Sequence, residues 1–315
     1  SETRLLGGVP GSRLRDLLVE SRKYQNTVSE QLAQQVLHAL YEMMRGIQAA
    51  HDHSGGELLR EVLNRDPDEV YRALLTVLLR LVFLLYAEER GMLPQDEVFL
   101  RHYSLTGLHE RLREDATLHP DTMDQRYGAW AQLVMLFRMM NDGAGTGSLK
   151  LPARHGALFD PQRFPFLEGR GEAGGRQVDE ALAQLPRVPD GTIQRSLEKL
   201  LVLDGERISY RALDVEQIGS VYETMMGFRI ERAVGTSVAI KAAKKGGAPT
   251  TVDLDALLEI EGKKRAKWLQ DQAARKLSKT VTDAIKPASN LEELHAALDK
   301  VLDKDATPDL ARAGS

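Results

Sequence analysis

Residues 66–94, DPDEVYRALLTVLLRLVFLLYAEERGMLP, determine the expected fold. Asp66 is a natural N-cap, followed by a proline at the first helical position and a glutamate at the third. Gly91 is a natural helix end, with a proline three positions beyond it. Apolar side chains cover nearly the whole circumference in between, which predicts a helix in the middle of a bundle. The exceptions are spaced by four residues and form one polar stripe: Arg72, Thr76 and Arg80.

The composition is that of an ordinary globular protein. The 315 residues are enough for a sizeable core and one or two domains. Aromatic residues make up only 5%, while Leu and Ala are abundant, which favours helices over sheets. The absence of cysteine excludes disulfides and thiolate metal sites and is typical of a cytoplasmic protein. The longest apolar run, Ala73–Ala87, contains polar residues and is too short for a bilayer, so no membrane partner is expected.

The other helix signals predict a mainly α fold, a multi-helix bundle with a long irregular strap and one small β element. A capping-box pair, Thr27 and Glu30, divides the first helical stretch into two helices. The strand candidates Arg207–Tyr210 and Val238–Lys241 are expected to form one small sheet. The helices predicted beyond residues 66–94 are Leu14–Ala50 (as two helices), Leu58–Leu63, Leu105–Glu114, Met123–Asn141, Thr192–Val202, Leu254–Ile260, Arg265–Ile285 and Leu291–Lys304.

We expect three segments along the chain. Residues 1–141 form an N-terminal helical bundle, residues 142–190 a Gly/Pro-rich linker with an aromatic strap, and residues 191–315 a helical subdomain with the β element and a basic C-terminal part. The strap, Leu158–Glu168, presents aromatic rings that either pin it to the core, the commoner role, or stack on bases. These rings belong to Phe159, Phe164 and Phe166. The serine start and the Gly-Ser end suggest a piece of a longer protein.

The polar stripe allows two interpretations. Arg72 and Arg80 either contact DNA phosphate or hold a neighbouring domain, or they form internal ion pairs, for example with Glu88. An unpaired buried arginine is costly, so an internal carboxylate partner is the usual outcome. Domain docking and ion pairing are also the two roles open to Tyr222 and Glu223.

Basic residues are concentrated in one part of the chain. The net charge of −4 excludes a basic nucleic-acid coat as a description of the whole chain. Between Lys241 and Lys279, however, there are ten Lys/Arg and only five Asp/Glu. This local excess either faces a phosphate backbone or is a solvated helical surface with a flexible loop. The candidates for DNA-backbone contact are Lys241, Lys244, Lys245, Lys263, Lys264, Arg265 and Lys267.

The sequence assigns no catalytic residue and no metal ligand. The segment His51–His53 lies at a predicted helix end, and no third ligand is nearby in sequence. Glu261–Lys263 matches the E-x-K half of a restriction-nuclease signature, with Asp253 and Asp255 upstream of it. The residues between them are typical of a helical turn, whereas that signature requires paired strands. A Mg²⁺-dependent nuclease is therefore kept as an alternative.

The stretch DVEQIGSVYETMMGF, residues 214–228, has a capping-box pattern followed by apolar residues at helical spacing. It resembles the segment just upstream of the catalytic domain in type IIG/IIL-like fused restriction–modification adenine methyltransferases and their phage-defence relatives. Four stretches, the last of which contains residues 214–228, resemble the helical region of these proteins in the same order: Leu17–Leu37, Leu81–Pro94, Leu158–Glu168 and Ile208–Phe228.

The resemblance implies a parent enzyme that methylates the N6 of adenine in DNA. The family's cofactor loop and its Asn/Asp-Pro-Pro-Tyr/Phe tetrapeptide do not occur here, so S-adenosylmethionine is expected in a methyltransferase domain outside this segment. For this chain the resemblance implies a non-catalytic helical connector. Its expected partners are double-stranded DNA, the methyltransferase domain of the parent chain and the nuclease domain that some relatives also carry. A pure protein-interaction scaffold is the other alternative.

Overall fold

The computed structural model describes residues 14–146, 149–171, 184–203, 205–212, 216, 219, 223, 235–241, 250–273 and 275–302. The chain is mostly helical with few short strands, which confirms the mainly α class. It divides into two compact units, Ser1–Arg229 (the N-terminal unit) and Ile230–Ser315 (the C-terminal unit). This division differs from the three segments expected from the sequence. The expected linker, residues 142–190, belongs to the N-terminal unit, because the strap packs on its helices.

The helices of the N-terminal unit follow the predicted pattern with local differences. They are α1 (Leu14–His53), α2 (Arg60–Arg65), α3 (Asp68–Glu89), α4 (Glu97–His102), α5 (Leu105–Leu118), α6 (Ala129–Asp142) and α7 (Asp190–Leu201). Short 3₁₀ helices cover Pro120–Gln125, Pro165–Glu168 and Tyr210–Ala212. Helix α4 was not predicted, because its six residues are too few for a periodic signal.

Helix α3 is the core helix that residues 66–94 predict. The Asp66 carboxylate accepts a hydrogen bond from the backbone N–H of Asp68 at 3.1 Å, so it caps the helix as expected. Fourteen of the 22 residues of α3 are buried, and Leu74, Leu78 and Leu84 have no exposed surface. By length and composition alone α3 could cross a membrane. However, 78% of its apolar window is buried inside the chain, which is typical of a core helix.

Helix α1 is one continuous helix of 40 residues, so the predicted break at Thr27 and Glu30 is wrong. A capping box requires a non-helical backbone at its first residue, and the uninterrupted helix keeps its backbone hydrogen bonds instead. Helix α1 packs closely on α7, and Gly46 allows the approach, because a Cβ there would lie 2.4 Å from the Thr192 side chain. The Arg195 Nε of α7 donates to the Glu42 carboxylate of α1 at 2.8 Å.

Glu88, the carboxylate proposed as an arginine partner, caps α5 instead. It accepts hydrogen bonds from the backbone N–H groups of Leu105 and Thr106 and from the Thr106 hydroxyl, the last at 2.9 Å. Burial raises the pKa of Glu88, and these hydrogen bonds oppose that shift. The carboxylate therefore ties the C-terminal turn of α3 to the first turn of α5.

We expect Glu88→Ala to destabilise the N-terminal unit by about 2 kcal/mol or more, because three donors lose a shared acceptor. Glu88→Gln keeps one acceptor oxygen and should cost less. Urea unfolding followed by the fluorescence of Trp130, in a Trp268→Phe background, measures the loss. Glu110→Ala removes an exposed carboxylate of α5 and is the control. An unfolding midpoint equal to that of the control would contradict the capping role.

The strap packs on the helical core. Phe159, Phe164 and Phe166 are all buried, so their rings are not available for stacking on bases. The indole N–H of Trp130, from α6, donates to the carbonyl of Leu167 at 3.1 Å. The strap is therefore a fixed part of the N-terminal unit.

The C-terminal unit is a hairpin covered by short helices. Its elements are β5 (Ser237–Ile240), β6 (Thr250–Asp253), α8 (Leu254–Glu259), α9 (Gly262–Gln272), α10 (Lys279–Ile285) and α11 (Leu291–Leu298). Its core includes Val238, Leu257 and Leu269. The expected single helix Arg265–Ile285 is two helices, α9 and α10, which contact each other.

The expected single β element is also corrected. The described residues form three separate antiparallel pairs. Two of them are Val202–Leu203 (β3) with Glu206–Arg207 (β4), and β5 with β6. Strand β5 covers the candidate Val238–Lys241 up to Ile240, whereas β4 shares only Arg207 with the candidate Arg207–Tyr210, whose last residue begins a short 3₁₀ helix. The third pair joins Ala144–Thr146 (β1) to Leu149–Leu151 (β2). The two strand candidates thus belong to different sheets. Strands of two to four residues are too short for alternation to show which strand pairs with which.

Candidate nucleic-acid interface

The first two turns of α9 present a row of lysines. Lys263, Lys264 and Lys267 are exposed on one side of the helix. Arg265, Ala266 and Leu269 are buried on the other side. The helix begins against the end of α10, where a Cβ on Gly262 would lie 2.1 Å from the carbonyl oxygen of Lys286. Glycine at this position therefore lets α9 start where it does.

The charge pattern of α9 is unfavourable for the helix and favourable for an anion. The positive end of the helix dipole disfavours cations in the first turn, yet Lys263 and Lys264 occupy it and no acidic residue does. Part of the charge is compensated, because Lys264 pairs with the exposed carboxylate of Glu261 at 2.9 Å. Asp271 lies on the lysine side one turn further on and is exposed. The positive potential is thus concentrated at the N-terminal half of α9.

Arg265 does not belong to this row and is removed from the DNA-contact candidates. Its side chain is 7% exposed. Its guanidinium donates to the carbonyls of Leu258 (2.8 Å), Ile260 (2.8 Å), Ile285 (3.1 Å) and Ala288 (2.5 Å). These carbonyls lie at the C-terminal ends of α8 and α10 or just beyond them, where the helix dipoles are negative. Arg265 therefore holds the unit together from inside.

Of the remaining lysine candidates, Lys241 is not brought to the α9 row. Lys241 is exposed, and its carbonyl accepts a hydrogen bond from Arg275 at 2.9 Å. Arg275 follows the C-terminal end of α9, so Lys241 lies near the opposite end of that helix from Lys263. Lys244 and Lys245 lie outside the described residues.

The acidic residues of the nuclease alternative lie at or next to helix starts, and Asp253 is a helix cap. The Asp253 carboxylate accepts from the backbone N–H groups of Asp255 and Ala256 at 2.8 and 3.2 Å. Asp255 accepts from the N–H of Thr236 at 2.7 Å. Glu261 directly precedes α9, so the E-x-K match lies at a helix start and not on a strand. In the part of the chain that the structure describes, no three His, Asp or Glu side chains are close enough to share a metal ion.

The segment His51–His53 completes the end of α1. His51 Nδ1 accepts from the backbone N–H of Leu59 at 3.1 Å. The Asp52 carboxylate accepts from the side-chain amide of Gln48 at 2.8 Å. The side chains of His51 and Asp52 thus make local contacts, as expected for a helix end.

The two arginines of the polar stripe have different environments. Arg72 is exposed and donates to the Asp66 carboxylate at 2.5 Å, a bond that lowers the pKa of Asp66. Arg80 is 5% exposed and donates to the strap carbonyls of Leu158 and Asp160 at 2.6 and 3.2 Å. Its partners are thus carbonyls and not the carboxylate that the sequence suggested. Burial is the main reason that the pKa of Arg80 is lowered to about 10.

Aromatic rings complete the surroundings of Arg80. Its guanidinium carbon lies 5.0 Å from the ring centre of Phe137 and 5.9 Å from that of Phe159. Arg80 therefore anchors the strap to α3 and α6 and is not accessible to DNA. Of the other docking candidates, Glu223 is exposed, and Tyr222 lies outside the described residues.

The segment before residues 214–228 is firmly attached to the helices. Tyr210 is fully buried, and its hydroxyl donates to the carbonyl of Leu200 at 2.8 Å. The backbone N–H of Arg211 donates to the Glu89 carboxylate at 2.9 Å. The start of the stretch that carries the family resemblance is thus fixed on α3 and α7. Most of residues 214–228 lie outside the described residues.

No protein-family profile, no curated protein and no solved structure matches this chain.

Proposed function

We propose that this chain is a non-catalytic helical connector of a larger adenine-N6 DNA methyltransferase of the restriction–modification or phage-defence type. The proposal rests on the resemblance of the sequence to that family. In this role the N-terminal unit is a rigid spacer that docks the catalytic domain, and the C-terminal unit contributes contacts to the backbone of double-stranded DNA. S-adenosylmethionine would bind to the methyltransferase domain of the parent chain.

One observation carries the DNA-binding part of the proposal. Three exposed lysines, Lys263, Lys264 and Lys267, lie on one face of α9, while the opposite face is locked into the core by Arg265. A row of cations on a fixed helix matches the regular negative charge of a phosphate backbone. Lysines in the first turn weaken the helix itself, and such a local conflict is expected where a surface is used for binding.

The contacts that hold the strap on the N-terminal unit support the spacer part of the proposal. Arg80 and Trp130 hold the strap through its backbone carbonyls. The Glu168 carboxylate at the end of the strap pairs with both Arg138 and Arg170. A connector that positions a catalytic domain relative to DNA has to resist bending, and these contacts join the strap to α3 and α6.

The experiment is a salt series of the affinity for a non-specific DNA duplex. We expect the triple variant Lys263→Gln, Lys264→Gln, Lys267→Gln to bind more weakly. If all three lysines contact phosphates, the slope of log K against log salt flattens by about 2.7, since each phosphate contact contributes about 0.9. Asp271→Asn should have the opposite effect and tighten binding.

The matched control is the triple variant Lys150→Gln, Lys199→Gln, Lys300→Gln. It makes the same change in net charge at exposed lysines outside α9. Equal slopes for the two triple variants would show that only net charge matters and would overturn the role of α9. If the chain does not bind DNA at low salt but associates with the separately expressed methyltransferase domain, the remaining function is that of a protein-interaction scaffold.

A further inference from the structure

The N-terminal unit carries an exposed cluster of aromatic and cationic side chains that its core does not use. Tyr127 is 45% exposed, although most large rings in the described part of the chain are buried. Its ring centre lies 5.9 Å from that of His53, with an angle of 37° between the ring planes. Arg187 Nη1 lies 2.7 Å from His53 Nε2. His53 and Arg187 are also exposed. Three distant parts of the sequence thus meet at one surface, here called the Tyr127 cluster.

The backbone on each side of the cluster is held in place. Asp190 N–H donates to the carbonyl of Arg126 at 2.9 Å. The Asp190 carboxylate accepts from the N–H groups of Gly128 and Ala129 at 2.8 and 2.7 Å. Tyr127 is therefore fixed between two bonded neighbours, and Arg187 lies only three residues before Asp190. An arrangement fixed in advance loses less entropy when it binds a ligand.

The charge of Arg187 is not neutralised by its partner in the cluster. A guanidinium can only donate, so His53 Nε2 accepts in this contact, and an imidazole offers no negative charge. The Asp190 carboxylate is turned towards the start of α6, where it accepts two backbone N–H groups. The guanidinium therefore keeps its positive charge beside two exposed rings.

We propose that the Tyr127 cluster binds single-stranded nucleic acid, with a base stacked on Tyr127 or His53 and a phosphate bound by Arg187. Exposed rings beside a cation are the combination that binds unpaired nucleotides, since every base has a face that can stack. A duplex offers phosphates but keeps its bases stacked on each other, so the rings favour a single strand. This site lies in the N-terminal unit and is independent of the lysines of α9.

The test is the affinity of the full 315-residue chain for a short labelled oligodeoxyadenylate, measured by fluorescence anisotropy. We expect Tyr127→Leu to weaken binding roughly ten-fold through the lost stacking. Tyr127→Phe keeps the ring and should bind like the unchanged chain. Arg187→Gln should weaken binding and reduce its salt dependence, whereas Arg113→Gln, at an exposed arginine of α5, should do neither.

Further measurements distinguish a strand from a free nucleotide or a duplex as the ligand, and distinguish this proposal from the one about α9. Free adenosine monophosphate that binds as tightly as the oligonucleotide would overturn the assignment to a strand. Equal weakening by Tyr127→Leu of single-strand and duplex binding would overturn the stacking role. The Lys263, Lys264, Lys267 triple variant tests duplex binding alone, so the two proposals can fail separately. The proposal is wrong if the oligonucleotide does not bind, or if it binds the Tyr127→Leu variant as tightly as the unchanged chain.

Discussion

Replacing Arg265 with methionine is expected to unfold the C-terminal unit. Methionine keeps much of the apolar stem but removes all the donors that bind the carbonyls of Leu258, Ile260, Ile285 and Ala288. Each buried carbonyl left without a partner costs about 1–3 kcal/mol, so the sum reaches the whole stability of a small unit. The effect is large because one side chain binds carbonyls at or just beyond the C-terminal ends of two helices, α8 and α10.

The two tryptophans of the chain allow each unit to be followed by itself. Trp130 is buried in the N-terminal unit, and Trp268 packs partly buried against the core of the C-terminal unit. In a Trp130→Phe background, the fluorescence of Trp268 in a urea titration reports the unfolding of the C-terminal unit. We expect Arg265→Met to abolish the transition or move it close to zero urea.

Two control variants make the result specific. Lys267→Gln changes an exposed cation on the same helix and should leave the midpoint almost unchanged. Arg265→Lys keeps a charge but offers fewer donors in a different geometry, so we expect an intermediate loss. A midpoint for Arg265→Met close to that of Lys267→Gln would contradict the role of Arg265 as an internal anchor.

This prediction also bears on any test of DNA binding. A variant that neutralises Arg265 together with Lys263 and Lys264 would lose DNA affinity by unfolding, whether or not the lysines contact phosphate. By charge alone, Lys263, Lys264 and Arg265 belong to one group. Their orientations differ, because the two lysine side chains point to solvent and the arginine side chain points to the core. The lysine variants described above therefore leave Arg265 intact.

The sequence predicts the fold where signals are long and agree with each other. The cap at Asp66 and the apolar run that follows it predict α3 to within two residues, because a run of about twenty residues with one polar stripe outweighs local ambiguity. The pair Thr27 and Glu30 is a short local signal, and the continuous helix α1 overrides it. The strand pairs have too few residues to produce a pattern at all.

The sequence predicts the candidate sites only in part. It identifies the basic character of α9, but it cannot show that Arg265 turns inward. It also suggests a carboxylate partner for Arg80, whereas the partners are backbone carbonyls. Every residue has a carbonyl, so no residue type marks such a partner in the sequence. The Tyr127 cluster was missed for a similar reason, since its members are far apart along the chain and join only in the folded unit.

Replacing Arg80 with methionine is expected to release the strap from the N-terminal unit. The variant loses two hydrogen bonds to the carbonyls of Leu158 and Asp160 and the contact with the rings of Phe137 and Phe159. A hydrogen bond from a charged group contributes about 1.5–3 kcal/mol, and a desolvated cation–π contact about 2 kcal/mol. Together these contacts contribute about 5–8 kcal/mol, and removal of the buried charge offsets part of the loss, so we expect a net loss of about 3–6 kcal/mol.

Arg72→Met is the matched control for this experiment. It makes the same replacement on the same stripe of α3, two turns earlier, where the arginine pairs with Asp66 at the surface. Such exposed pairs contribute little, so we expect an unfolding midpoint close to that of the unchanged chain. A comparable loss for the two variants would mean that methionine disturbs α3 itself, and the anchoring role of Arg80 would then be wrong.

The release of the strap can be measured separately from global stability. Trp130 donates to the carbonyl of Leu167, so its fluorescence in a Trp268→Phe background reports whether the strap is docked. We expect Arg80→Met to shift this emission and to expose the peptide bond after Arg163 to trypsin under native conditions, while Arg72→Met does neither. Under the proposed connector role, a methyltransferase that contains this chain with Arg80→Met is expected to methylate DNA more slowly than the same enzyme with Arg72→Met. If Arg80→Met slows methylation but does not expose the strap to trypsin, Arg80 acts on the enzyme by some means other than holding the strap.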